Sequence, residues 1–351
     1  MSQSSLEEME PGMFRRFMLP AAFLALLFWA LFTRRPEPPP EVLEIAGPTM
    51  GTNYRILVVE AGLDESGQQD LGAAIAESLQ AVNASMSTYI PDSEISRFNA
   101  HQSSEPFPIS VGFVAVLEEA QAISLATEGA FDATVGPLVN LWGFGPDSAP
   151  EEVDEEAVAA ARERVGFQHL TLNEGQLSKA VPDQVVDLSA IAKGWGVDQL
   201  VSLLEERGHG HFMAEIGGEV ATRGTNPAGE SWKLGIEKPV VGERDVHSIV
   251  GLNNQAMATS GDYRNFIGEG AERRSHTIDP RTGRPVTHQL ASVSVVASSC
   301  TLADGWATAL TVLGPEEGLK LAEAQGLAAF FLVREPDGSF SESATSAFDR
   351  L

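Results

Sequence analysis

The chain has 351 residues, of which 43% are hydrophobic and 21% are charged, a composition typical of globular proteins. Its 23 basic and 49 acidic residues give a formal net charge of −26. This charge argues against a sequence-independent nucleic-acid binder, which needs basic residues to displace counterions from phosphates. The single cysteine, Cys300, excludes an intramolecular disulfide scaffold and a zinc site made of several thiolates.

Residues 17–32 form a continuous apolar run, FMLPAAFLALLFWALF, between the pairs Arg15–Arg16 and Arg34–Arg35. The run is short for a helix that spans a bilayer, which needs about 20 residues and at least about 17. Neither a small-residue cleavage site nor a cysteine for lipid attachment directly follows it. We therefore expect residues 17–33 to form an uncleaved single-pass anchor, with a cleaved signal peptide as the alternative.

The segments beside this run are predicted separately. Residues 1–16 would be a short tail. Residues 34–42 include the sequence PEPPP, which predicts a stiff, extended spacer. Because no linker interrupts residues 43–351, we expect them to form one compact domain.

Short β-like runs alternate irregularly with helical patterns beyond the spacer. An apolar stripe with helical spacing, for example, joins Leu71, Ile75, Leu79 and Val82. The patterns predict helices over residues 71–86, 111–126, 150–163, 190–207, 301–313 and 316–325. They predict strands over residues 54–59, 184–188, 213–216, 232–236, 248–252, 292–297 and 328–333. Several strands follow one another directly, which favours an α+β fold over a regularly alternating one.

Residues 187–194, DLSAIAKG, lie at a predicted strand-to-helix junction. Free backbone N–H groups and the helix dipole favour an anion at such a junction. A capping role explains the same residues, because Ser189 could cap the helix and Asp187 the preceding turn. The pattern alone favours capping. The pair Gly217–Gly218 is interpreted as a turn, since it matches no complete phosphate-binding motif.

Asp304 and Thr308 are four residues apart on a predicted helix, so their side chains share one face. Carboxylate and hydroxyl oxygens suit a hard cation such as Mg²⁺. The competing interpretation is a capping box, Thr301-x-x-Asp304, in which Asp304 reaches back to the start of its own helix. Considered alone, the capping box is favoured.

His276 precedes a turn signal in the segment SHTIDPRTG, residues 275–283. Imidazole titrates near neutral pH, so His276 is a candidate proton-transfer group, although a histidine beside a hairpin is more often structural. His209 and His211 follow a predicted helix end, where compensation of the helix dipole explains them better than metal binding. Tyr89 and Phe131–Asp132 could contact a planar ligand, with a core role as the default.

Nine ordered segments together resemble the ApbE family, the FAD:protein FMN transferases. The segments are Met50–Tyr54, Met86–Asn99, Gly129–Gly145, Val186–Asp198, Glu215–Gly224, Gly235–Pro239, Ala258–Phe266, Ser275–Val286 and Thr301–Gly314. The resemblance covers essentially everything from Leu43 to the C-terminus. It implies a single compact ApbE-like domain, related to the T-fold, after the N-terminal anchor.

The resemblance also implies an activity. A family member binds FAD and Mg²⁺, transfers the FMN half to a threonine or serine hydroxyl of a target protein, and releases AMP. The expected acceptors are subunits of redox pumps of the Na⁺-translocating NADH:quinone reductase or Rnf type. The catalytic domain would lie in the periplasm, anchored to the bacterial inner membrane, with the N-terminal tail in the cytoplasm.

The family's functional residues map onto this sequence by motif. His276 resembles the catalytic residue. The expected FAD contacts are Met50, Tyr89, Ala130, Phe131, Asp132, Asp187, Lys193 and Ile278. The expected metal ligands are Asp304 and Thr308, with contributions from Ala190 and Ala307.

Two other functions use the same residues. A Mg²⁺-dependent FAD pyrophosphatase would replace the target hydroxyl with water, and a flavin carrier would bind FAD without reaction. Retention of His276, Asp304 and Thr308 together argues against a carrier, which needs no base and no metal.

Overall fold

The computed structural model describes residues 23–24, 26, 40–146, 150, 152–240, 245–261, 266–267 and 274–351. The chain separates into two compact units, Met1–Pro40 and Glu41–Leu351. The predicted tail, the predicted anchor apart from residues 23, 24 and 26, and most of the predicted spacer lie outside the described residues. In the part that is described, no helix has the length and apolar character needed to cross a bilayer.

The second unit contains seven described α-helices. They are α1 (Glu65–Met86), α2 (Glu94–Ala100), α3 (Val111–Ala126), α4 (Gly136–Leu141), α5 (Glu155–Arg162), α6 (Ala192–Glu206) and α7 (Cys300–Gln325). Five of them begin after a side chain that accepts a hydrogen bond from a backbone N–H of the first turn; the capping residues are Asp64, Ser93, Ser110, Asp154 and Ser299. The cap at Asp64 explains why α1 begins before the apolar stripe that predicted it.

Seventeen strands lie among the described residues. They are β1 (Val42–Thr49), β2 (Thr52–Val59), β3 (Phe107–Pro108), β4 (Leu170–Asn173), β5 (Gln176–Lys179), β6 (Phe212–Ile216), β7 (Glu219–Arg223), β8 (Trp232–Glu237), β9 (Val246–Leu252), β10 (Ala256–Gly261), β11 (Phe266–Ile267), β12 (Arg274–Ser275), β13 (Ile278–Asp279), β14 (Arg284–Pro285), β15 (Leu290–Ala297), β16 (Ala328–Arg334) and β17 (Phe340–Ala344). Eight form an antiparallel sheet in the order β1-β2-β6-β7-β10-β15-β16-β17. A three-stranded sheet, β3-β5-β4, and three two-stranded ribbons, β8-β9, β11-β12 and β13-β14, complete the set.

Both faces of the large sheet are covered. On β2, Ile56 and Val58 pack into an apolar cluster with residues of α1 and α6. The alternate residues Leu57 and Val59 pack on the opposite face, around Trp232 of β8. This period-2 alternation is the one a strand covered on both faces requires. Helices cover one face and the β8-β9 ribbon covers part of the other, so the expected α+β fold is confirmed.

One predicted strand does not form. Residues 184–188 have no regular secondary structure and belong to no sheet. The side-chain amide of Asn99 replaces a neighbouring strand: its Nδ2 donates to Val186 O at 2.9 Å, and its Oδ1 accepts from Val186 N at 2.7 Å. Asp187 N donates to Ala133 O. The predicted strand is therefore wrong, because the backbone groups of Val186 and Asp187 pair with Asn99 and Ala133 instead of with a neighbouring strand.

The two predicted C-terminal helices, over residues 301–313 and 316–325, form on either side of a break within α7. Within α7, Gly314 has φ of 78°, and Pro315 follows it. Proline cannot continue the hydrogen-bond ladder, and glycine adopts the left-handed region without a Cβ clash. A Cβ on Gly314 would also lie 2.7 Å from the His288 ring.

Candidate functional site

A cavity of about 900 Å³ lies beside the β6-β7 turn and the N-terminal halves of α6 and α7. Clefts that bind small molecules and cofactors are commonly about 300–1,000 Å³. Eleven of the thirteen predicted site residues line it, although they come from distant parts of the sequence. They are Tyr89, Ala130, Phe131, Asp132, Asp187, Ala190, Lys193, His276, Ile278, Asp304 and Thr308.

Two predicted residues do not line this cavity. Ala307 is fully buried in the core. Met50 occupies the β1-β2 turn with φ of 47°, a left-handed conformation uncommon for residues other than glycine. Its Cε lies 2.9 Å from the position that a Cβ on Gly196 would occupy. Met50 thus packs against α6 in this structure.

The start of α6 is not capped as the capping interpretation predicted. The helix begins at Ala192, and its N-cap residue, Ile191, makes no side-chain capping bond. Ser189 lies before the helix and donates its N–H to Asp187 Oδ1 at 2.8 Å. The interpretation of Ser189 as a helix cap is therefore wrong, whereas Asp187 does stabilise the preceding turn.

Asp304 caps a different helix from the one predicted. Its Oδ2 accepts a hydrogen bond from Gly194 N of α6 at 2.9 Å. The N-cap of its own helix is Ser299, so the capping box Thr301-x-x-Asp304 is wrong. The sequence could not separate the two roles, since both place a carboxylate beside a helix N-terminus.

Helices α6 and α7 stabilise each other's first turns. Asp198 of α6 accepts hydrogen bonds from Cys300 N at 2.8 Å and Thr301 N at 2.9 Å. Asp304 reciprocates at Gly194. A Cβ on Gly194 would lie 2.3 Å from Cys300 O, so glycine is what permits this approach. The contact holds Asp304 and Thr308 against the N-terminus of α6.

Three oxygen atoms of residues that line the same cavity as Asp304 meet at Thr308. Thr308 Oγ1 lies 3.4 Å from Ala190 O and 3.3 Å from Ser260 Oγ. The second oxygen of Asp304, Oδ1, accepts no hydrogen bond from a described residue. Carboxylate, hydroxyl and carbonyl oxygens form the hard donor set that Mg²⁺ takes, usually together with waters and substrate phosphates. The residues present therefore fit such an ion, although no cluster of three or more His, Cys, Asp or Glu suited to a metal occurs in the described ranges.

Burial shifts the pKa of the Asp304 carboxyl group. Its side chain is 4% exposed. Burial raises the pKa of Asp304 to about 7, although the nearby Lys193 ammonium and the Gly194 N–H lower it. A cation bound beside Asp304 would therefore favour the ionised form of its carboxylate.

Glu219 is a site residue that the sequence did not reveal. It follows the Gly217–Gly218 turn, which the structure confirms with φ values of 64° and 112°. Glu219 Oε1 accepts from Lys193 Nζ at 2.6 Å. Burial lowers the pKa of Lys193, but the charges of Asp304 and Glu219 outweigh burial and leave that pKa raised. The sequence signal was the carboxylate directly after the two glycines.

His276 lines the cavity from the short segment between β12 and β13. Its ring centroid is 6.3 Å from that of Phe144, in an edge-to-face arrangement. The neighbouring β13-β14 hairpin turns at Gly283, where φ is 75°. Trp142 Nε1 donates to Gly283 O at 2.8 Å, which ties the hairpin to the loop containing Phe144.

Three further lining residues, Tyr89, Phe131 and Asp132, differ in exposure. Tyr89 is 67% exposed at the rim, whereas Phe131 is 3% exposed and packs in the core. Asp132 is also buried: Oδ1 accepts from Thr134 N and Oγ1, and Oδ2 accepts from Phe167 N. Burial raises the pKa of Asp132, and these hydrogen bonds oppose the rise. The Asp132 carboxylate thus joins the backbone at Thr134 to the backbone at Phe167.

Comparison with known proteins agrees with this architecture. The model of the ApbE family matches residues 50–331. The FAD:protein FMN transferase of Vibrio cholerae is 47% identical over 314 residues, which cover 89% of this chain and 93% of the relative. That of Haemophilus influenzae is 44% identical over 318 residues, covering 89% of this chain and 92% of the relative.

Solved structures of related proteins have the same fold. The flavin transferase ApbE of Vibrio cholerae superposes with a TM-score of 0.82 at 46% identity, covering 89% of this chain and all of that chain. The apo flavinyl transferase ApbE of Pseudomonas stutzeri also gives a TM-score of 0.82, at 39% identity, covering 90% of this chain and 98% of that one. The chain therefore belongs to the ApbE family, as its nine sequence segments predicted.

Proposed function

We propose that this protein is a Mg²⁺-dependent FAD:protein FMN transferase that joins the FMN half of FAD to a threonine or serine hydroxyl and releases AMP. The observation that carries the proposal is the single cavity that His276 shares with Asp304, Thr308, Asp187 and Lys193. A candidate proton-transfer group and a set of anion- and cation-binding groups thus line one cavity, whose volume of about 900 Å³ suits a large ligand. The names of the relatives support the same activity.

In the proposed reaction, the acceptor hydroxyl oxygen attacks the phosphorus of the FMN half. The pyrophosphate bond to the AMP half breaks, and AMP leaves with the bridging oxygen. His276 accepts the proton of the attacking hydroxyl, a role typically worth about 10²–10⁴ in rate. This division of labour suits phosphoryl transfer, which depends mainly on alignment and charge neutralisation.

Other residues bind and orient the substrate. The ammonium of Lys193 and the N-terminus of α6 attract the pyrophosphate. Asp304 and Thr308, with the carbonyl of Ala190, would hold Mg²⁺, which when bound neutralises the phosphate charge. The exposed Tyr89 ring at the rim offers a face on which a flavin or adenine ring can stack.

The proposal extends to location and partners. The apolar run at residues 17–32 supports anchoring in the bacterial inner membrane. The Arg pairs on both sides of the run favour neither orientation, so the periplasmic location of the catalytic domain rests on the resemblance to the ApbE family. The acceptors would be subunits of redox pumps of the Na⁺-translocating NADH:quinone reductase or Rnf type. A protease added to intact spheroplasts should digest the catalytic domain; protection of the domain would contradict this orientation.

Intact-mass spectrometry of the acceptor tests the activity. The full-length chain is incubated with FAD, Mg²⁺ and a candidate pump subunit, with an EDTA-treated sample as the control. A mass gain equal to an FMN phosphoester, absent with EDTA, is expected. FAD cleavage without any gain would indicate the pyrophosphatase instead, and tightly bound FAD that stays intact with every acceptor would indicate the carrier.

A further inference from the structure

A charge cluster with two buried carboxylates forms part of the cavity wall beside the proposed cation site. It consists of Glu219, Lys193 and Asp304, which come from β7, α6 and α7. The Glu219 side chain is 4% exposed and that of Lys193 is 32% exposed. One ammonium thus lies among two carboxylates, in a setting where water screens their charges weakly.

The hydrogen bonds of this cluster are unequal. Glu219 Oε1 accepts from Lys193 Nζ at 2.6 Å, and Asp304 Oδ2 accepts from Gly194 N at 2.9 Å. Lys193 makes no hydrogen bond to Asp304, although the charge of Asp304 acts on it. The ammonium is therefore held on Glu219, and Asp304 Oδ1 is left without a hydrogen-bond donor among the described residues.

The second carboxylate oxygen of Glu219, Oε2, differs from Oε1 in its surroundings. Oε2 is buried and has no hydrogen-bond partner among the described residues. Leaving a buried acceptor unpaired is costly, and such groups in native structures call for an explanation. The backbone explains its placement: the Gly217–Gly218 turn brings Glu219 to the cavity wall at the start of β7.

We infer that Glu219 is a positioning residue, which holds the ammonium of Lys193 away from Asp304 and so keeps the Asp304 carboxylate available to a divalent cation. Without Glu219, Asp304 is the remaining carboxylate of the cluster. Lys193 would then pair with Asp304 and compete directly with the cation. This inference rests on the proposed function, because it takes Asp304 as the cation ligand.

A double-mutant cycle on the full-length chain tests the inference. Mn²⁺, added without FAD, serves as the probe of the Mg²⁺ site, and free Mn²⁺ is measured by electron paramagnetic resonance. Glu219→Gln should weaken Mn²⁺ binding by roughly tenfold. In a Lys193→Met background, the same substitution should change Mn²⁺ affinity by less than about twofold, since no ammonium remains to be held.

Two controls separate the possible causes. Glu237→Gln removes another carboxylate that lines the same cavity, and it should leave Mn²⁺ affinity nearly unchanged. Circular dichroism checks that each variant is folded, and Glu219→Asp replaces Glu219→Gln in the cycle if the latter is not.

The outcomes distinguish the inference from the proposed function. If Glu219→Gln weakens binding equally in both backgrounds, Glu219 acts through its own charge or as a ligand, and the inference is wrong. If Mn²⁺ does not bind the parent chain, or if Asp304→Asn leaves binding intact, the proposed cation site fails and the inference fails with it.

Discussion

Asp132 illustrates how a single buried carboxylate organises one wall of the cavity. Its two oxygens accept hydrogen bonds from Thr134 and Phe167, which are two and 35 residues away in the chain. A carboxylate is suited to this place because both of its oxygens are acceptors. An asparagine would set an NH₂ group against one of the donating N–H groups.

We therefore expect Asp132→Asn to lower the free energy of unfolding by about 1–3 kcal/mol, the cost of a buried donor left unsatisfied. Urea unfolding of the two proteins measures the difference. Asp337→Asn is a matched control, since Asp337 Oδ1 accepts from Ser339 N and Oγ in the same local arrangement but on the surface. An equal loss in both variants would show that burial of Asp132 is not the cause.

At the scale of elements, the close contact between α6 and α7 places the proposed cation ligands. Asp198 and Asp304 each satisfy N–H groups at the start of the other helix. Gly194 permits the contact, because a Cβ there would meet the backbone of Cys300. The positions of Asp304 and Thr308 therefore depend on the absence of a side chain at Gly194.

Gly194→Ala should lower the free energy of unfolding by about 1–3 kcal/mol or more, as expected for overpacking in a core. Gly72→Ala provides the contrast, because a Cβ on that helical glycine meets nothing within 4 Å. It should stabilise the protein by about 0.5–1 kcal/mol through helix propensity. Thermal and urea unfolding compare the two variants, and a neutral Gly194→Ala would contradict the close contact.

Particular elements show what could be predicted from the sequence. Helix α3 has the predicted bounds, since apolar periodicity and the Ser110 cap are local signals. The strand at residues 184–188 failed because its partner is the side chain of Asn99, distant in the chain. Asp304 was recognised as a cap or a ligand, but the helix it caps lies 110 residues away. Glu219 was missed for the same reason, as its partner Lys193 becomes visible only in the fold.

At the scale of the whole molecule, the net charge of −26 opposes compactness through self-repulsion. Salt screens this repulsion, since the Debye length falls from about 30 Å at 0.01 M to about 3 Å at 1 M. The melting temperature should therefore rise with NaCl concentration over this range, as differential scanning calorimetry would record. A melting temperature that stays constant or falls would mean that attractive ion pairs outweigh the repulsion.

In the proposed reaction, one cavity binds FAD with one set of residues, and His276 acts on the hydroxyl that receives FMN. The most direct test compares His276→Ala with the parent chain in two assays: the FAD dissociation constant, and the single-turnover rate of FMN transfer to an acceptor. The rate should fall by about 10²–10⁴ while the dissociation constant changes little, because His276 acts on the attacking hydroxyl. A rate that is unchanged, or one that falls only in step with FAD affinity, would show that His276 does not act in the transfer step.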